Sequence, residues 1–148
     1  MKEKIIVNPD NIHMLSVDIL KARIQSDFDS LGEESSEFQF NMSFLNGFNT
    51  AEKLIRCELE INVDKKNQEG RIIAESSFTI SFVYQVENFE DFVEEKEGGI
   101  VFNVAMAATL AGIAFSTTRG ILLSRFQGTV FKDFILPVID PKKMLEDK

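Results

Sequence analysis

Few side chains in this sequence are suited to catalysis or metal binding. His13 is the only histidine and Cys57 the only cysteine, so sites that need several imidazole or thiolate groups, such as zinc centres, are excluded. Gly98-Gly99 is not a phosphate-binding loop, because the acidic run before it repels phosphate and no Gly-Lys-Ser/Thr follows. Acidic residues are abundant, and a carboxylate pair among them stays an open alternative. The sequence therefore predicts a protein that is not an enzyme, with no catalytic residue, metal site or cofactor.

The segment from Ile100 to Thr118 carries no charged residue, so in an acidic protein it must be covered by a membrane, by the core or by another copy of the chain. About 20 mainly apolar residues can span a bilayer. Here, however, alanine, glycine and hydroxyl residues supply little transfer free energy, and no Lys/Arg cluster flanks the segment. We therefore predict a buried helix and no membrane insertion.

This predicted helix contains several small residues at helical spacing. Ala107 and Ala111 are four positions apart, as are Ala108 and Gly112, so each pair shares a helix face. Small side chains on one face let two backbones approach closely. The four residues are predicted to form a helix contact between subunits of an oligomer. Packing of the helix on its own sheet is the alternative.

The protein is acidic and rich in phenylalanine. The chain has 148 residues, enough for a sizeable core, and we assign residues 1–148 to a single domain. A net charge of −8 argues against nucleic acid or anionic lipid as the main partner. One cysteine permits no internal disulfide, which fits a reducing cytoplasm. The 14 Phe exceed what one small core usually needs, so some are expected at surfaces or interfaces.

Alternating apolar residues predict the strands. Between Ile12 and Phe28 the parity of the alternation changes midway, which predicts a long strand with a bulge near Ile19–Leu20; a helix over residues 11–22 is the alternative. Residues 38–44, 54–63 and 72–86 predict three further strands, and alternation in the second of them predicts that Cys57 is buried. Asn46-Gly47 and residues 65–70 are predicted turns, and such short connections favour antiparallel pairing.

Helices are predicted to follow the strands. A short acidic helix over residues 88–95 ends at Gly98-Gly99, and a long helix over about residues 102–126 ends near Gly128. The first ten residues are predicted to be a frayed leader, and two prolines predict an extended tail over residues 136–148. The predicted fold class is α+β, a four-stranded antiparallel sheet with the long C-terminal helix and the short acidic helix on one face.

Two arginines, Arg119 and Arg125, lie in the second half of the long helix and share no face. They are expected to satisfy local carboxylates or the last carbonyl groups of the helix. An ion pair at a subunit interface is the alternative.

The block from Phe115 to Val138 combines a helical arginine with later Gly-Thr and Pro-Val pairs. It resembles the corresponding block of the SecB-like chaperones, the family of the bacterial protein-export chaperone and its toxin–antitoxin-associated relatives. In that family an Ala-Arg-Glu helix runs to Gly-Thr-Phe and then to a Pro-Val strand. The matching positions here are Arg119, Gly128-Thr129 and Pro137-Val138. Upstream, residues 15–28 resemble the family's first strand, and residues 83–85 fall on its Glu-Val-Gln-Gln strand.

The resemblance implies the fold and the activity of that family. It implies a sheet-plus-helix protomer that assembles as a dimer of dimers in the cytoplasm. It also implies an ATP-independent holdase that covers apolar segments of unfolded or nascent polypeptides. The family serves protein export or protects an antitoxin, so the further partner would be SecA or an antitoxin.

Three departures favour a specialised SecB-like protein over an export one. The chain stops soon after Leu145, whereas export members continue into a further helix and a polar tail that contacts SecA. An acidic strand position that contacts SecA in the family falls at Tyr84 or a neighbour. Glycine follows Arg119, where the family has glutamate.

A holdase needs apolar surface that stays exposed, and phenylalanines in or beside predicted loops are the candidates for it. We assign client binding to Phe44, Phe48, Phe89, Phe92 and Phe102. The strand residues Phe38, Phe40, Phe78 and Phe82 are assigned to the core. The alternatives are a non-catalytic oligomeric assembly domain and a small-ligand carrier or hot-dog-like enzyme, although hot-dog folds place their helix early.

Overall fold

The architecture is that of a computed structural model, which describes residues 6–27 and 37–146. The predicted bulged strand reached Phe28, which lies outside the described residues, as does the first half of the predicted leader. Within the second half of that leader, Val7 packs on the core and residues 9–11 form a 3-10 turn.

A four-stranded antiparallel sheet forms one layer. Its strands are β1 (Ile12–Ser26), β2 (Glu37–Asn49), β3 (Leu54–Lys66) and β4 (Ile72–Val86). They lie in the order β1-β4-β3-β2, so β1 and β2 are the edges of the sheet. All three pairings are antiparallel, as the short connections predicted.

The predicted bulge in β1 is confirmed. The register with β4 shifts between Ile19 and Lys21, and a second shift lies between Met14 and Ser16. Each shift adds one residue to β1 and reverses the side to which the following side chains point. This reversal explains why the alternation along β1 changes parity.

β2 continues through the segment that was predicted as a turn. Asn46 and Gly47 pair with Cys57 and Arg56 of β3, and β2 ends only at Asn49. The turn prediction at Asn46-Gly47 was therefore wrong. Cross-strand pairing along a long ladder overrides the local turn preference of an Asn-Gly pair.

A hairpin replaces most of the predicted acidic helix. A 3-10 helix covers Phe89–Phe92, and β5 (Val93–Lys96) then pairs with β6 (Gly99–Phe102). The helix prediction over residues 88–95 was wrong beyond Phe92. Gly98 and Gly99 have φ angles of 97° and 138°, a backbone region that favours glycine and allows the tight reversal between the strands.

The long helix, α1 (Val104–Arg125), packs across the sheet as predicted. Its first turn is capped by the Asn103 side chain, which accepts a hydrogen bond from the Met106 N–H at 3.0 Å. By length and composition alone α1 could also cross a membrane. Its buried face lies on the sheet and consists of Met106, Leu110, Ala111, Ala114, Phe115, Thr118 and Leu122.

The core lies between α1 and the face of the sheet that carries alternate residues of β3 and β4. Leu59, Ile61 and Ile80 are fully buried there, and the predicted burial of Cys57 is confirmed. Of the phenylalanines assigned to the core, Phe78 and Phe82 are fully buried and Phe38 and Phe40 are half-buried. After α1, an aromatic cluster closes the other end of the core; its members are Phe126, Phe131 and Phe134.

Arg119 of α1 hydrogen-bonds the main chain of the tail that follows the aromatic cluster. Its Nε donates to the Leu136 carbonyl at 2.7 Å and one terminal nitrogen donates to the Pro137 carbonyl at 3.0 Å. The guanidinium also lies 5.3 Å from the centre of the Phe115 ring. Within the part of the chain that the structure describes, Arg119 therefore binds carbonyl groups of the tail. A local carboxylate or the last carbonyl groups of its own helix had been expected instead.

The tail is extended only as far as Asp140. Residues 141–146 form α2 (Pro141–Glu146), so the prediction of an extended tail over residues 136–148 was wrong in this part. Proline suits the first turn of a helix because the N–H that it lacks would have no acceptor within the helix at that position. The Asp140 carboxylate accepts a hydrogen bond from the Lys142 N–H at 3.0 Å. The structure thus brings a second helix against α1.

Tyr84 gives the fold a pH-dependent stability. Its hydroxyl donates to the Leu110 carbonyl at 3.3 Å. Burial, and secondarily the nearby Cys57, raise the pKa of Tyr84 above its ordinary value of 10.0. Above pH 10 the unfolded chain loses the phenolic proton while the folded chain keeps it. The associated stability is therefore present below pH 10 and is lost as the pH rises further.

We expect the free energy of unfolding to fall as the pH rises above 10, and to fall less steeply in Tyr84→Phe. Urea unfolding at a series of pH values measures both slopes. Because the chain has one Tyr and no Trp, phenolate absorbance also reports this one titration directly. Equal slopes in the wild type and in Tyr84→Phe, or a folded-state titration near pH 10, would contradict this account.

Candidate functional site

An apolar cavity of about 490 Å³ opens where the end of β2 and the start of β3 meet the first half of α1 and α2. Ile55 and Cys57 of β3 and Leu110 of α1 form its buried wall, and Ala107 leaves space beside them. Leu145 of α2 lines the opposite side. A cavity of this size and apolar character suits one large apolar side chain or a small apolar ligand.

Two phenylalanines, the exposed Phe48 and the half-buried Phe102, form the outer wall of this cavity. The rings of Phe48 on β2 and Phe102 on β6 lie 5.1 Å apart between centroids, and the buried Phe89 supports Phe102 from behind at 6.0 Å. Phe48 is 42% exposed, which is high for an aromatic side chain on the core-facing side of a sheet. Such a wall offers apolar contact to a molecule from outside.

The structure separates the five phenylalanines that were assigned to client binding. Phe48 and Phe102 line the cavity. Phe44, Phe89 and Phe92 are at most 8% exposed and belong to the core, although the last two lie in a short connection beyond the sheet. Proximity to a loop therefore did not distinguish surface from core for these three residues.

The four small residues of α1 have different surroundings. Ala111 is fully buried in the protomer, and Ala107 lines the cavity. Gly112 lies under α2: a Cβ atom on it would be 3.2 Å from Pro141 Cγ. Ala108 is half-buried. Contacts within the chain thus use Ala111 and Gly112, in line with the alternative of packing inside the protomer.

Three polar groups lie in the cavity wall, and none of them was singled out from the sequence as part of a site. They are the amide of Asn46, the thiol of Cys57 and the ammonium of Lys142. Asn46 was read as a turn residue and Lys142 as part of the tail. Asn46 and Lys142 reach the wall because β2 continues past Asn46-Gly47 and because α2 forms where an extended tail was predicted.

The hairpin that leads to the cavity is acidic, whereas the charged group in the cavity wall itself is the Lys142 ammonium. The β5–β6 hairpin, which leads directly into Phe102, carries Glu94, Glu95 and Glu97, all exposed. The nearby Lys96 ammonium lies 3.7 Å from the Glu94 carboxylate. Among residues 6–27 and 37–146, no three His, Cys, Asp or Glu side chains are close enough together to hold a metal ion.

A second apolar surface lies along β1. No residue of this strand is buried, because α1 and the segment after it cover β2, β3 and β4 instead. Met14, Val17 and Ile24 point toward the α1 side of the sheet yet are 36–41% exposed, and the bulge residues Leu15 and Leu20 are each 53% exposed. A row of this kind on an edge strand is unusual for an isolated protomer.

Comparison with solved structures decides the fold family. The SecB-like chaperone Rv1957 of Mycobacterium tuberculosis, in complex with a ChAD peptide from the antitoxin HigA1 (Rv1956), aligns with a TM-score of 0.62. The sequence identity is 11%, over 88% of this chain and 91% of that chain. The chain has a SecB-like fold. No family model and no curated protein sequence matches the chain.

The SecB-like fold confirms the resemblance that the C-terminal block suggested, and with it the α+β class, the four-stranded sheet and the long helix. A protein of unknown function from Streptococcus agalactiae aligns at a TM-score of 0.31 and 12% identity, over 86% of this chain and 97% of that chain. No shared fold is inferred at that score.

Tyr84 does not occupy a surface position in this SecB-like fold. It is fully buried on the α1 side of the sheet, so it cannot be the residue that contacts SecA. Its exposed neighbour Gln85 lies on the outer face of the sheet and is neutral. The family's acidic position was expected at Tyr84 or a neighbour; neither Tyr84 nor Gln85 is acidic, and the correspondence itself stays a prediction.

Proposed function

We propose that this protein is an ATP-independent holdase chaperone that binds unfolded or nascent polypeptides. The observation that supports this most is the apolar cavity with its outer aromatic wall of Phe48 and Phe102 in a SecB-like fold. An apolar client side chain would enter the cavity, while the rest of an extended segment lies along edge strand β2. No covalent chemistry is needed for this activity.

The clients are unfolded segments of cytoplasmic proteins that carry apolar and basic residues. A net charge of −8 and the acidic hairpin beside Phe102 attract basic segments and repel acidic ones. An antitoxin is the kind of client that the neighbouring chaperone suggests. SecA is the less favoured partner, because neither Tyr84 nor its neighbours Val83 and Gln85 carry the acidic group that contacts SecA in the family.

A direct test measures client aggregation, peptide binding and small-ligand binding with the same purified protein. The purified protein should slow the aggregation of a heat-unfolded client without ATP. It should also bind a labelled peptide in which one Phe is flanked by Ala, Ser and Lys, as measured by fluorescence anisotropy. Binding of an apolar dye or fatty acid without peptide binding would favour a small-ligand carrier. Binding of none of these would favour a plain assembly domain.

We also propose that protomers self-associate, as a dimer of dimers, through the uncovered apolar row of β1. Burial of this row by a second copy would remove the exposed edge of the sheet from water. Leu20→Asp should therefore lower the molar mass found by light scattering. Leu45→Asp, at a 65% exposed leucine on the other edge strand, should leave it unchanged. A monomeric wild-type protein would contradict this proposal.

A further inference from the structure

The side of β2 that faces α1 is apolar at every position but one. Its apolar members are Phe38, Phe40, Met42, Phe44 and Phe48. Asn46 interrupts this row, lies opposite Cys57 in the register with β3, and places its amide in the cavity wall. A polar group on such a face costs stability unless it is satisfied. Departures from a local pattern of this kind gather at functional sites.

The Asn46 side chain makes no hydrogen bond within residues 6–27 and 37–146. Asn41, five positions earlier on the outer face of the same strand, accepts a hydrogen bond from the Asn62 amide at 3.0 Å. A carboxamide has two N–H donors and one carbonyl acceptor. Asn46 therefore presents both kinds of hydrogen-bonding group to whatever enters the cavity.

We propose that Asn46 hydrogen-bonds a main-chain peptide group of the bound client, next to the residue whose apolar side chain fills the cavity. This inference rests on the proposed holdase function. A peptide group offers one N–H and one C=O, which complement the carboxamide. The edge position of β2 leaves room for an extended segment beside it. Phe48 and Phe102 would take the apolar side chain.

This contact would explain how one cavity holds clients of different sequence. Every polypeptide carries the same main chain, so a hydrogen bond to it gives affinity and sets the depth of insertion without reading side chains. A purely apolar small ligand would leave the Asn46 amide unpartnered in a desolvated cavity, which is unfavourable. Asn46 thus acts as a specificity-determining residue that favours polypeptide over other apolar molecules.

The test is a double-mutant cycle between Asn46 and the client main chain. The probes are the labelled one-Phe peptide and two analogues that are N-methylated at the peptide bond on either side of the Phe. In the wild type, one analogue should bind about 10-fold more weakly, as expected for the loss of one buried hydrogen bond. Asn46→Leu should bind the parent peptide about 10-fold more weakly, and N-methylation should then have no further effect.

Two further variants keep the test decisive. Asn41→Leu, on the outer face, should bind like the wild type. Asn46→Ala removes both the donors and the acceptor with a smaller side chain, and covers the case in which Asn46→Leu fails to fold. If Asn46→Leu or Asn46→Ala binds the parent peptide as tightly as the wild type, or both N-methyl analogues bind the wild type normally, the inference is overturned and the holdase proposal stands. If the wild type binds no peptide, the proposed function itself fails.

Discussion

Filling the cavity of the protein is expected to weaken client binding strongly while the fold is kept. Ala107 lines the cavity and is half-buried, so the ring in Ala107→Phe would occupy the space that a client side chain needs. Burial of a Phe side chain contributes about 1.5–3 kcal/mol. Peptide affinity should therefore fall about 10- to 100-fold, as measured by anisotropy with the one-Phe peptide.

A matched control lies two residues away on the same helix. Ala105 is exposed and does not line the cavity, so Ala105→Phe makes the same chemical change outside it. We expect this variant to bind the peptide as the wild type does. Urea unfolding of both variants reports whether the helix is intact. Equal affinity of Ala107→Phe and Ala105→Phe would show that clients bind elsewhere.

The strands were predictable because the sheet has one wet and one buried face. Alternation located β3 and β4 closely, and the parity change in β1 located its bulge. The end of β2 was missed because an Asn-Gly pair is a strong local turn signal, whereas its pairing with β3 is a long-range contact. The β5–β6 hairpin was missed because spacing in a short acidic segment fits a helix and a ribbon equally well.

The site was predictable only in part, because its wall comes from segments far apart in the chain. Phe48 and Phe102 were selected for lying near loops, and the same reasoning selected Phe44, which tertiary packing buries. Leu145 joins the wall only because Arg119 holds the tail against α1 and α2 then forms. No spacing rule in the sequence connects residue 48 with residue 145.

The small residues of α1 illustrate the same limit in another way. Helical spacing puts the two residues of each pair on one face of α1, but it does not tell which element packs against that face. In the fold, the sheet covers Ala111 and α2 covers Gly112. The uncovered apolar surface lies instead along β1. There the alternation of apolar residues predicted a strand, but alternation alone does not tell whether the apolar side of a strand is covered.

The largest loss of stability is expected from Phe126→Ala. Phe126 is fully buried at the end of α1, and its ring lies 5.0 Å from Phe131, 5.7 Å from Phe78 and 6.2 Å from Phe134 between centroids. Removal of a buried Phe ring costs about 3–5 kcal/mol, because the apolar contacts are lost and the cavity collapses only in part. That is a large fraction of the 5–15 kcal/mol that stabilises a typical domain.

Phe48→Ala provides the comparison, since it makes the same truncation at a ring that is 42% exposed. We expect it to lower the free energy of unfolding by less than about 2 kcal/mol and to weaken peptide binding, because Phe48 forms the exposed wall of the cavity. Phe126→Ala should show the opposite pattern where it remains folded: a large shift in the urea midpoint and near-normal peptide affinity. Comparable unfolding losses in the two variants would mean that the aromatic cluster after α1 is not the main support of the core. A stable Phe48→Ala protein with unchanged peptide affinity would remove the aromatic wall from the binding site.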